Sequence, residues 1–248
     1  MSAGSPPPTA GRAPAGQRQL ALQFPLSSHY RFDNYIVGAN CELVRRLEQM
    51  QVEDAGFRGC FLFGAPGVGR THLLQAACHR QASRGGGRAG GIYLPLADSM
   101  VTAELLDGLE GLALVALDDV EAWIGDASRE AALLALYQGL LASGGRLLVS
   151  AGVAAAQLDF RYPDLASRLR GLPAYQLREL DDRGKGRVLE RLARERGLEL
   201  TDSVLDFWLA RSSRSMADLL SQFERLDAAA MAAQRRVTVP LVKQVLGL

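Results

Sequence analysis

Gly64-Ala65-Pro66-Gly67-Val68-Gly69-Arg70-Thr71 is the stretch of this sequence that decides its fold. It follows the phosphate-loop spacing G-x-x-x-x-G-K-[S/T], with an arginine in place of the lysine. Residues 60–63 before it are apolar, which predicts a buried strand, and 71–81 after it have apolar side chains at helical spacing. A glycine loop between a strand and a helix points backbone N–H groups and the positive end of the helix dipole at an anion. The stretch therefore predicts a phosphate-binding site, to which Thr71 adds a hydroxyl group for a magnesium ion.

Arg70 is the one departure from this motif. Lysine is a compact charge that fits between the outer phosphates, whereas arginine is longer and planar and binds phosphate as a fork. Arg70 is therefore compatible with phosphate binding, but it need not keep the usual catalytic geometry. The alternative is a strand-to-helix turn that binds nothing. The spacing, Thr71 and both flanking elements favour the phosphate loop over that alternative.

The composition is that of an ordinary globular protein, with 248 residues of which 48% are hydrophobic and 22% charged. This length allows one large domain or two small ones. A formal net charge of +1 gives no general attraction to nucleic acid or to a membrane, and no apolar run reaches the length of a membrane span. Three cysteines without a C-x-x-C pair predict a reduced, cytoplasmic setting with neither a disulfide framework nor a zinc site.

Strand patterns alternate with helical patterns around the loop. Four short stretches besides 60–63 predict strands, namely 91–96, 112–117, 147–150 and 175–177. Because helical patterns separate them, the sequence predicts an α/β fold with a five-stranded parallel sheet flanked by helices. From about residue 178 every pattern is helical, which predicts a small all-helical lid domain at 178–248. The main domain is then 29–177, and a tail at 1–28 precedes it.

The tail has two parts. Residues 2–16 are rich in Pro, Gly, Ala and Ser and predict disorder, because they cannot bury enough apolar surface to fold. The short apolar peptide 19–26 has two interpretations: a segment packed on the domain, or a linear motif that docks in a groove of a partner. The residues by themselves slightly favour the first.

An acidic pair, Asp118-Asp119, ends the strand predicted at 112–117. Behind a phosphate loop, the first acid typically holds magnesium and the second orients or deprotonates the attacking water. The sequence therefore predicts Asp118 as a metal-site residue together with Thr71, and Asp119 as a catalytic residue. At the tip of the next strand, Ser150 is either a sensor of the outer phosphate or an ordinary strand-end serine.

Three stretches together resemble the bacterial replication initiator DnaA, an AAA+ protein. They are 29–38 (HYRFDNYIVG), 64–74 (GAPGVGRTHLL) and 163–169 (PDLASRL), the last being similar to the AAA+ arginine-finger helix. Arg70, the peptide 19–24 and the sequence at 235–243 are similar to one family of this group, the Hda-type DnaA-homologous regulatory inactivators. The resemblance covers residues 19–248.

The resemblance implies a negative regulator of replication initiation that binds ADP or ATP, with Mg²⁺, and stimulates ATP hydrolysis by the initiator DnaA. The nucleotide-binding set that it implies comprises Tyr35, Val37, Gly64, Ala65, Pro66, Gly67, Val68, Gly69, Arg70, Thr71, His72 and Asp118. The residues implied to dock on the DNA sliding clamp (its β subunit) are Gln19, Leu20, Leu22 and Phe24. DNA is then reached only through the clamp, which implies association with the nucleoid.

Arg168 is implied to be an arginine finger, given in trans to the ATP of a bound initiator. Its alternative is an exposed surface arginine that pairs with Asp164, four residues earlier on the same helix. The resemblance leaves open whether the chain forms a homo-oligomer.

Two positions depart from the initiator's pattern. The place of its strand-four sensor falls near Gly152, and its lid sensor arginine falls on Ala217, with Arg214 nearby as a substitute or as a surface residue. Together with Arg70, these departures predict a site that binds nucleotide without efficient hydrolysis of its own. The alternative is an autonomous AAA+ ATPase or a helicase-loader-like protein, which would need a competent site.

Overall fold

A computed structural model of the chain describes residues 24, 26–50, 58–83, 90–213, 215–233 and 236–248. Strands and helices alternate first, in the order α1 (Cys41–Gln49), β1 (Gly59–Phe63), α2 (Arg70–Ser83), β2 (Gly91–Pro95), β3 (Leu114–Asp118), α3 (Ala127–Ser143), β4 (Arg146–Ala151), α4 (Pro163–Arg170) and β5 (Ala174–Gln176). Four helices follow, α5 (Asp182–Glu195), α6 (Asp202–Arg211), α7 (Met216–Ala233) and α8 (Val239–Leu246). Within these ranges no helix has both the length and the apolar character needed to cross a membrane.

The five strands form one parallel sheet in the order β2-β3-β4-β1-β5. Strand β1 lies between β4 and β5, with Leu62 opposite Ser150 on one side and Tyr175 on the other. The carboxyl ends of β1, β3 and β4 therefore lie at the same edge of the sheet, which is where α/β proteins usually bind ligands. The predicted fold, a five-stranded parallel sheet flanked by helices, is confirmed.

Alternate residues of each strand face opposite sides of the sheet, and both sides are covered. Phe61, Val115 and Val149 join a first hydrophobic cluster that includes side chains of α3 and α4. Leu62 and Leu148 join a second cluster that includes side chains of α1 and α2. Because helices cover both faces, the strands appear in the sequence as continuous apolar runs rather than as alternating patterns.

The lid helices pack around a third cluster that contains Trp208 and Phe223. Trp208 is fully buried, and its indole N–H donates to Oε1 of Gln222 over 2.6 Å. Asp181 caps α5 by accepting the N–H of Gly184 at 2.7 Å, as Asp commonly does at a helix start. The predicted all-helical lid domain is confirmed.

The N-terminal tail is described only near its end. Gln19, Leu20 and Leu22 of the predicted docking set, like the tail 2–16, lie outside the described residues. Phe24 is half-buried and packs against the first cluster, while Leu26 packs against the second. At these two positions the structure matches the first interpretation of the peptide, a segment packed on the domain. The three segment boundaries, 1–28, 29–177 and 178–248, stay a prediction.

Candidate nucleotide-binding site

The phosphate loop lies between the end of β1 and the first turn of α2. Gly67 (φ +86°) and Gly69 (φ +97°) have left-handed backbone conformations that favour glycine. A Cβ atom on Gly67 would lie 2.5 Å from the backbone N of Ala217 in α7, and one on Gly69 would lie 2.7 Å from the ring of Tyr35. Side chains are therefore excluded at both positions, and the loop is held between the 29–38 segment and the lid.

Tyr35 links the loop to the rest of the domain. Its hydroxyl donates to the carbonyl of Val68 at 3.4 Å and accepts from Nδ2 of Asn40 at 3.2 Å. Asn40 also accepts the backbone N–H of Arg178 at 2.9 Å, just beyond β5. Burial raises the pKa of Tyr35 to about 12, partly offset by the hydrogen bond from Asn40, so the hydroxyl stays protonated.

A cleft opens beside the loop, between the 29–38 segment and the lid. The residues of the predicted nucleotide set that line it are Tyr35, Gly67, Val68, Gly69, Arg70, Thr71 and His72. Its remaining lining consists of His29, Tyr30, Asn34, Ile36, Leu180, Val188, Arg191, Leu192, Glu195, Met216 and Leu220. Ile36 lines the cleft, whereas its predicted neighbour Val37 packs against the second cluster. A largely apolar and aromatic wall beside a phosphate loop fits a flat heterocyclic base joined to phosphates.

Helix α5 of the lid is bound to the 29–38 segment by two contacts about one turn apart. Nη1 of Arg191 donates to the carbonyl of Asp33 at 3.2 Å. Oε2 of Glu195 lies 3.1 Å from Nδ1 of His29. The lid therefore forms one wall of the cleft and contacts the opposite wall directly.

His72 follows the loop and lies beneath the 29–38 segment. Its Nε2 is 2.8 Å from the carbonyl oxygen of Arg31, and its ring centroid is 5.0 Å from that of Tyr30 and 5.2 Å from that of Tyr35. Burial is the main cause that lowers the pKa of His72 from its ordinary value of 6.5; the Arg31 carbonyl opposes this effect. His72 is therefore neutral in the folded chain near pH 7.

We expect acid to destabilise the chain partly through His72. Because the folded-state pKa of His72 is depressed, the unfolded chain takes up this proton first as the pH falls below about 6.5. The contribution of His72 to the free energy of unfolding should be fully present above that pH and should be lost as the pH falls towards the folded-state pKa. Denaturant titrations of the wild type and of His72→Gln between about pH 5 and pH 8 test this. The variant should show the shallower decline in stability, and parallel curves would contradict the expectation.

Asp118 ends β3 and is buried, with 2% of its surface exposed. Thr71 Oγ1 and the Tyr93 hydroxyl donate to its Oδ2 over 2.6 and 2.9 Å, and Ser150 Oγ donates to its Oδ1. Burial, together with the charge of Asp118 and the hydrogen bond to it, raises the pKa of Tyr93. The structure thus brings the predicted metal-site pair, Thr71 and Asp118, into contact, and it uses Ser150 to support Asp118.

Arg70 points across the site at two carboxylates. Its Nη1 lies 3.1 Å from Oδ1 of Asp119 and 3.8 Å from Oε1 of Glu121, and its side chain is 11% exposed. Asp119 has φ 54° and ψ 54°, a left-handed conformation that is costly for a residue other than glycine. Burial and the charge of Asp118 raise the pKa of Asp119, and Arg70 opposes them. Arg70 is therefore engaged with the second acid of the pair in this structure.

Gly152 and Ala217, the two positions that depart from the initiator's pattern, have no charged side chain to offer beside the loop. Gly152 follows β4, and its N–H donates to Oε1 of Glu121 at 2.6 Å. Ala217 lies in the first turn of α7, where its backbone approaches Gly67 of the loop, and its side chain is only a methyl group. Arg214, the potential substitute, lies outside the described residues.

The side-chain oxygen atoms beside the loop are suitable ligands for a magnesium ion. Mg²⁺ prefers oxygen ligands and is usually held by one or two protein groups together with phosphate oxygens. Thr71 Oγ1 and Asp118 Oδ2, which are 2.6 Å apart, are oxygen ligands of that kind. In the described ranges no group of three or more His, Cys, Asp or Glu side chains is arranged to hold a metal by itself. These residues therefore suit an ion that arrives with phosphate.

Arg168, the predicted finger, lies near the end of α4 and does not line the cleft described above. Its Nε donates to Oδ2 of Asp164 at 3.1 Å, and its guanidinium carbon lies 5.6 Å from the ring centroid of Tyr137 in α3. The side chain is 32% exposed, so it is more enclosed than the sequence suggested. The pair with Asp164 is present, yet neither Nη atom has a hydrogen-bond partner among the described residues.

The lid wall of the cleft is what sequence reasoning missed. In the sequence, Val188, Leu189 and Leu192 share one face of the helical pattern over 182–196. In the structure Leu189 is fully buried in the third cluster, while Val188 and Leu192 also line the cleft. The sequence signal that could have indicated this wall is the apolar face of α5, which is wider than packing against one small core requires.

Two family models match different parts of the chain. The model for "Hda, lid domain" matches residues 182–246, and the model for the "Bacterial DnaA ATPase domain" matches residues 26–88. The first match covers most of the helical lid, and the second covers the 29–38 segment, the phosphate loop and α2.

Solved structures share the fold. Domain III of the replication initiation protein DnaA from Thermotoga maritima is 18% identical, with a TM-score of 0.76 over 90% of this chain and 98% of that one. AMPPCP-bound DnaA from Aquifex aeolicus is 24% identical, with a TM-score of 0.65 over 83% and 66%. The Thermotoga maritima Holliday junction branch migration motor RuvB is 17% identical, with a TM-score of 0.63 over 88% and 71%.

The sheet, the phosphate loop and the helical lid together form an AAA+, DnaA-like fold. Its lid match and its ATPase-domain match, taken together, make the chain similar to Hda-like, DnaA-homologous proteins.

Proposed function

We propose that this chain is a negative regulator of replication initiation, which binds ADP and stimulates ATP hydrolysis by a DnaA-type initiator. The observation that carries the proposal is the position of Arg168, outside the chain's own cleft and with the Nη end of its guanidinium unpaired within the described chain. An arginine given in trans neutralises charge on the transferring phosphoryl group and typically raises the rate by ~10³–10⁵. The Hda-type lid match supports a regulator of this kind.

The nucleotide of this chain would lie in the cleft, with its base near Tyr35 and Ile36 and its phosphates on the loop. A DnaA protein of the same fold has been solved with AMPPCP bound. Thr71 and Asp118 would hold Mg²⁺, which neutralises phosphate charge when it is bound. Asp119, the predicted water-orienting acid, already pairs with Arg70. The site is therefore proposed to retain nucleotide rather than to hydrolyse it efficiently.

We expect ADP to bind this chain about tenfold more tightly than ATP, a difference of ~1.4 kcal/mol. A third phosphate would add negative charge near Asp119 and Glu121, while Arg70 is already engaged and Ala217 offers no cation. Calorimetric titrations with each nucleotide in Mg²⁺ measure the difference. Ala217→Arg supplies the matched variant, because a cation beside Gly67 should reduce the preference for ADP. Tighter ATP binding accompanied by steady turnover would contradict the proposal.

Attachment to the DNA sliding clamp is the second part of the proposal. Clamp docking through Gln19, Leu20, Leu22 and Phe24 would raise the effective concentration of the regulator at replicating DNA, without any new contact to the initiator. Phe24 packs against the first cluster, so docking in this form requires its ring to leave that contact. DNA would be reached through the clamp.

Replacing the two apolar docking residues together, Leu22→Ala with Phe24→Ala, should abolish clamp binding. The expected melting temperature falls by only a few degrees, because Phe24 is only half-buried. Surface-immobilised clamp and a thermal melt measure the two quantities. Leu26→Ala is the matched control: Leu26 belongs to the same peptide and also packs on the domain, but it is not one of the four docking residues, so this variant should still bind. Retained binding by the double variant, or a large drop in melting temperature, would favour the packed-segment interpretation.

The alternative function, an autonomous AAA+ ATPase or a helicase-loader-like protein, differs in whose ATP is hydrolysed. Phosphate release by the purified chain alone, and by the chain mixed with ATP-bound DnaA and DNA-loaded clamp, separates the two. The proposal predicts negligible release by the chain alone and rapid release in the mixture. Comparable turnover by the chain alone would favour the alternative.

A further inference from the structure

Three side chains from two helices meet on the face that carries Arg168. Asp164 and Arg168 lie one turn apart on α4, and Tyr137 belongs to α3, which packs beside it. Resting on the proposed function, in which Arg168 acts on the initiator's ATP, we infer that Asp164 and Tyr137 are positioning residues that hold the guanidinium of Arg168 ready for the partner's phosphate.

The contacts restrain one end of the guanidinium and leave the other end available. Asp164 accepts the Nε–H, at 3.1 Å, and this is the inner side of the planar group. The two Nη atoms make no hydrogen bond within the described residues. Those outer nitrogens form the pair of donors that an arginine offers to phosphate oxygens. Asp164 therefore fixes the guanidinium's orientation without occupying the atoms that would bind phosphate.

Tyr137 restrains the same group from the side. Its ring centroid lies 5.6 Å from the guanidinium carbon, within the range of a cation–π contact. The ring is half-buried and packs against the first cluster, so its position is set by the core of the domain. A long arginine side chain loses much rotamer freedom when it is ordered, and contacts made before association reduce that loss at the moment of reaction. Tyr137 thus helps to fix the orientation of Arg168 relative to the core of the domain.

The test compares Tyr137→Leu, Tyr137→Phe and Asp164→Ala in the stimulated hydrolysis reaction of DnaA, with the clamp and DNA present. Leucine keeps apolar packing but has no aromatic face, whereas phenylalanine keeps both. Tyr137→Leu and Asp164→Ala should each lower the maximal stimulated rate by about three- to tenfold, and Tyr137→Phe should remain near the wild type. The concentration of this chain that gives half-maximal stimulation should not change, because the residues orient a group and do not supply binding.

The melting temperature of each variant is measured in parallel, so that unfolding is separated from misorientation. Wild-type maximal rates for both Tyr137→Leu and Asp164→Ala would overturn the inference, as would an effect confined to the half-maximal concentration. Arg168→Ala is included to separate the positioning role of Tyr137 and Asp164 from the proposed function of Arg168 itself. If Arg168→Ala removes stimulation while the other two variants do not, the positioning inference fails and the proposed function stands. If Arg168→Ala stimulates like the wild type, the proposed function itself fails.

Discussion

Arg168→Ala is expected to remove nearly all stimulation of initiator ATP hydrolysis, a loss of ~10³-fold or more, while the chain stays folded. The side chain makes one exposed ion pair and one ring contact at the surface, and such contacts contribute little to stability. A finger, in contrast, acts only on the transition state of the partner's reaction. Single-turnover hydrolysis of ATP on DnaA, measured beside a thermal melt and an ADP titration of the variant, tests both halves of the expectation.

Two further variants sharpen this result. Arg168→Lys keeps the charge but loses the planar pair of donors, so it should restore only a small part of the activity. Arg211→Ala is the matched control, because Arg211 is an exposed arginine that stacks on an aromatic ring, that of Phe207, in the lid. It should stimulate like the wild type. Full activity of Arg168→Ala would leave the pair with Asp164 as the whole role of this side chain.

Asp118→Ala is expected to have the largest effect on the chain's own site. Removing this buried carboxylate leaves the hydroxyls of Thr71, Tyr93 and Ser150 without their common acceptor. An unsatisfied buried polar group costs ~1–3 kcal/mol, so the free energy of unfolding should fall by about 2–4 kcal/mol once the hydroxyls reorient. Magnesium-dependent nucleotide binding should be lost as well, because Asp118 is one of the two proposed metal-site residues.

Urea denaturation and nucleotide calorimetry measure these two effects. Asp98→Ala is the matched control, since Asp98 is exposed and accepts a single backbone N–H, that of Met100. Its unfolding free energy should stay within about 0.5 kcal/mol of the wild type, as for most surface substitutions. A stable Asp118→Ala variant that still binds ADP and Mg²⁺ would contradict the assigned role of this carboxylate.

The sheet was predictable because strand and helix periods are local properties of the sequence. The fourth strand was predicted at 147–150 and spans Arg146–Ala151, so the errors are confined to its ends. The third was predicted at 112–117 and spans Leu114–Asp118, because residues 112 and 113 form a bend after the 3₁₀ turn at Leu109–Gly111. Element ends depend on capping and tertiary contacts that periodicity does not report.

The phosphate loop and Asp118 were predictable for a different reason. Their residue types are dictated by chemistry at a fixed place in the strand–loop–helix order. The lid's part in the site was not predictable in this way. Ala217 lies against Gly67 across 150 positions of sequence, and no local pattern records that contact.

The directions in which side chains point also could not be predicted from the sequence. Alternation along 29–38 could not decide whether Ile36 or Val37 faces the cleft, and the structure places Ile36 there. The sequence likewise identified Arg70 as unusual but could not show that it pairs with Asp119. Asp119 also has a left-handed backbone, a conformation that its residue type permits without requiring it.

We propose that this chain makes its partner, and not itself, hydrolyse ATP. The most direct measurement loads DnaA alone with ATP labelled on the outer phosphate, gives this chain unlabelled ADP, and adds DNA-loaded clamp. Release of labelled phosphate is then followed through a single turnover. We expect rapid release that requires the chain, depends on Arg168 and weakens when the clamp is omitted. Release at the same slow rate with and without the chain would contradict it.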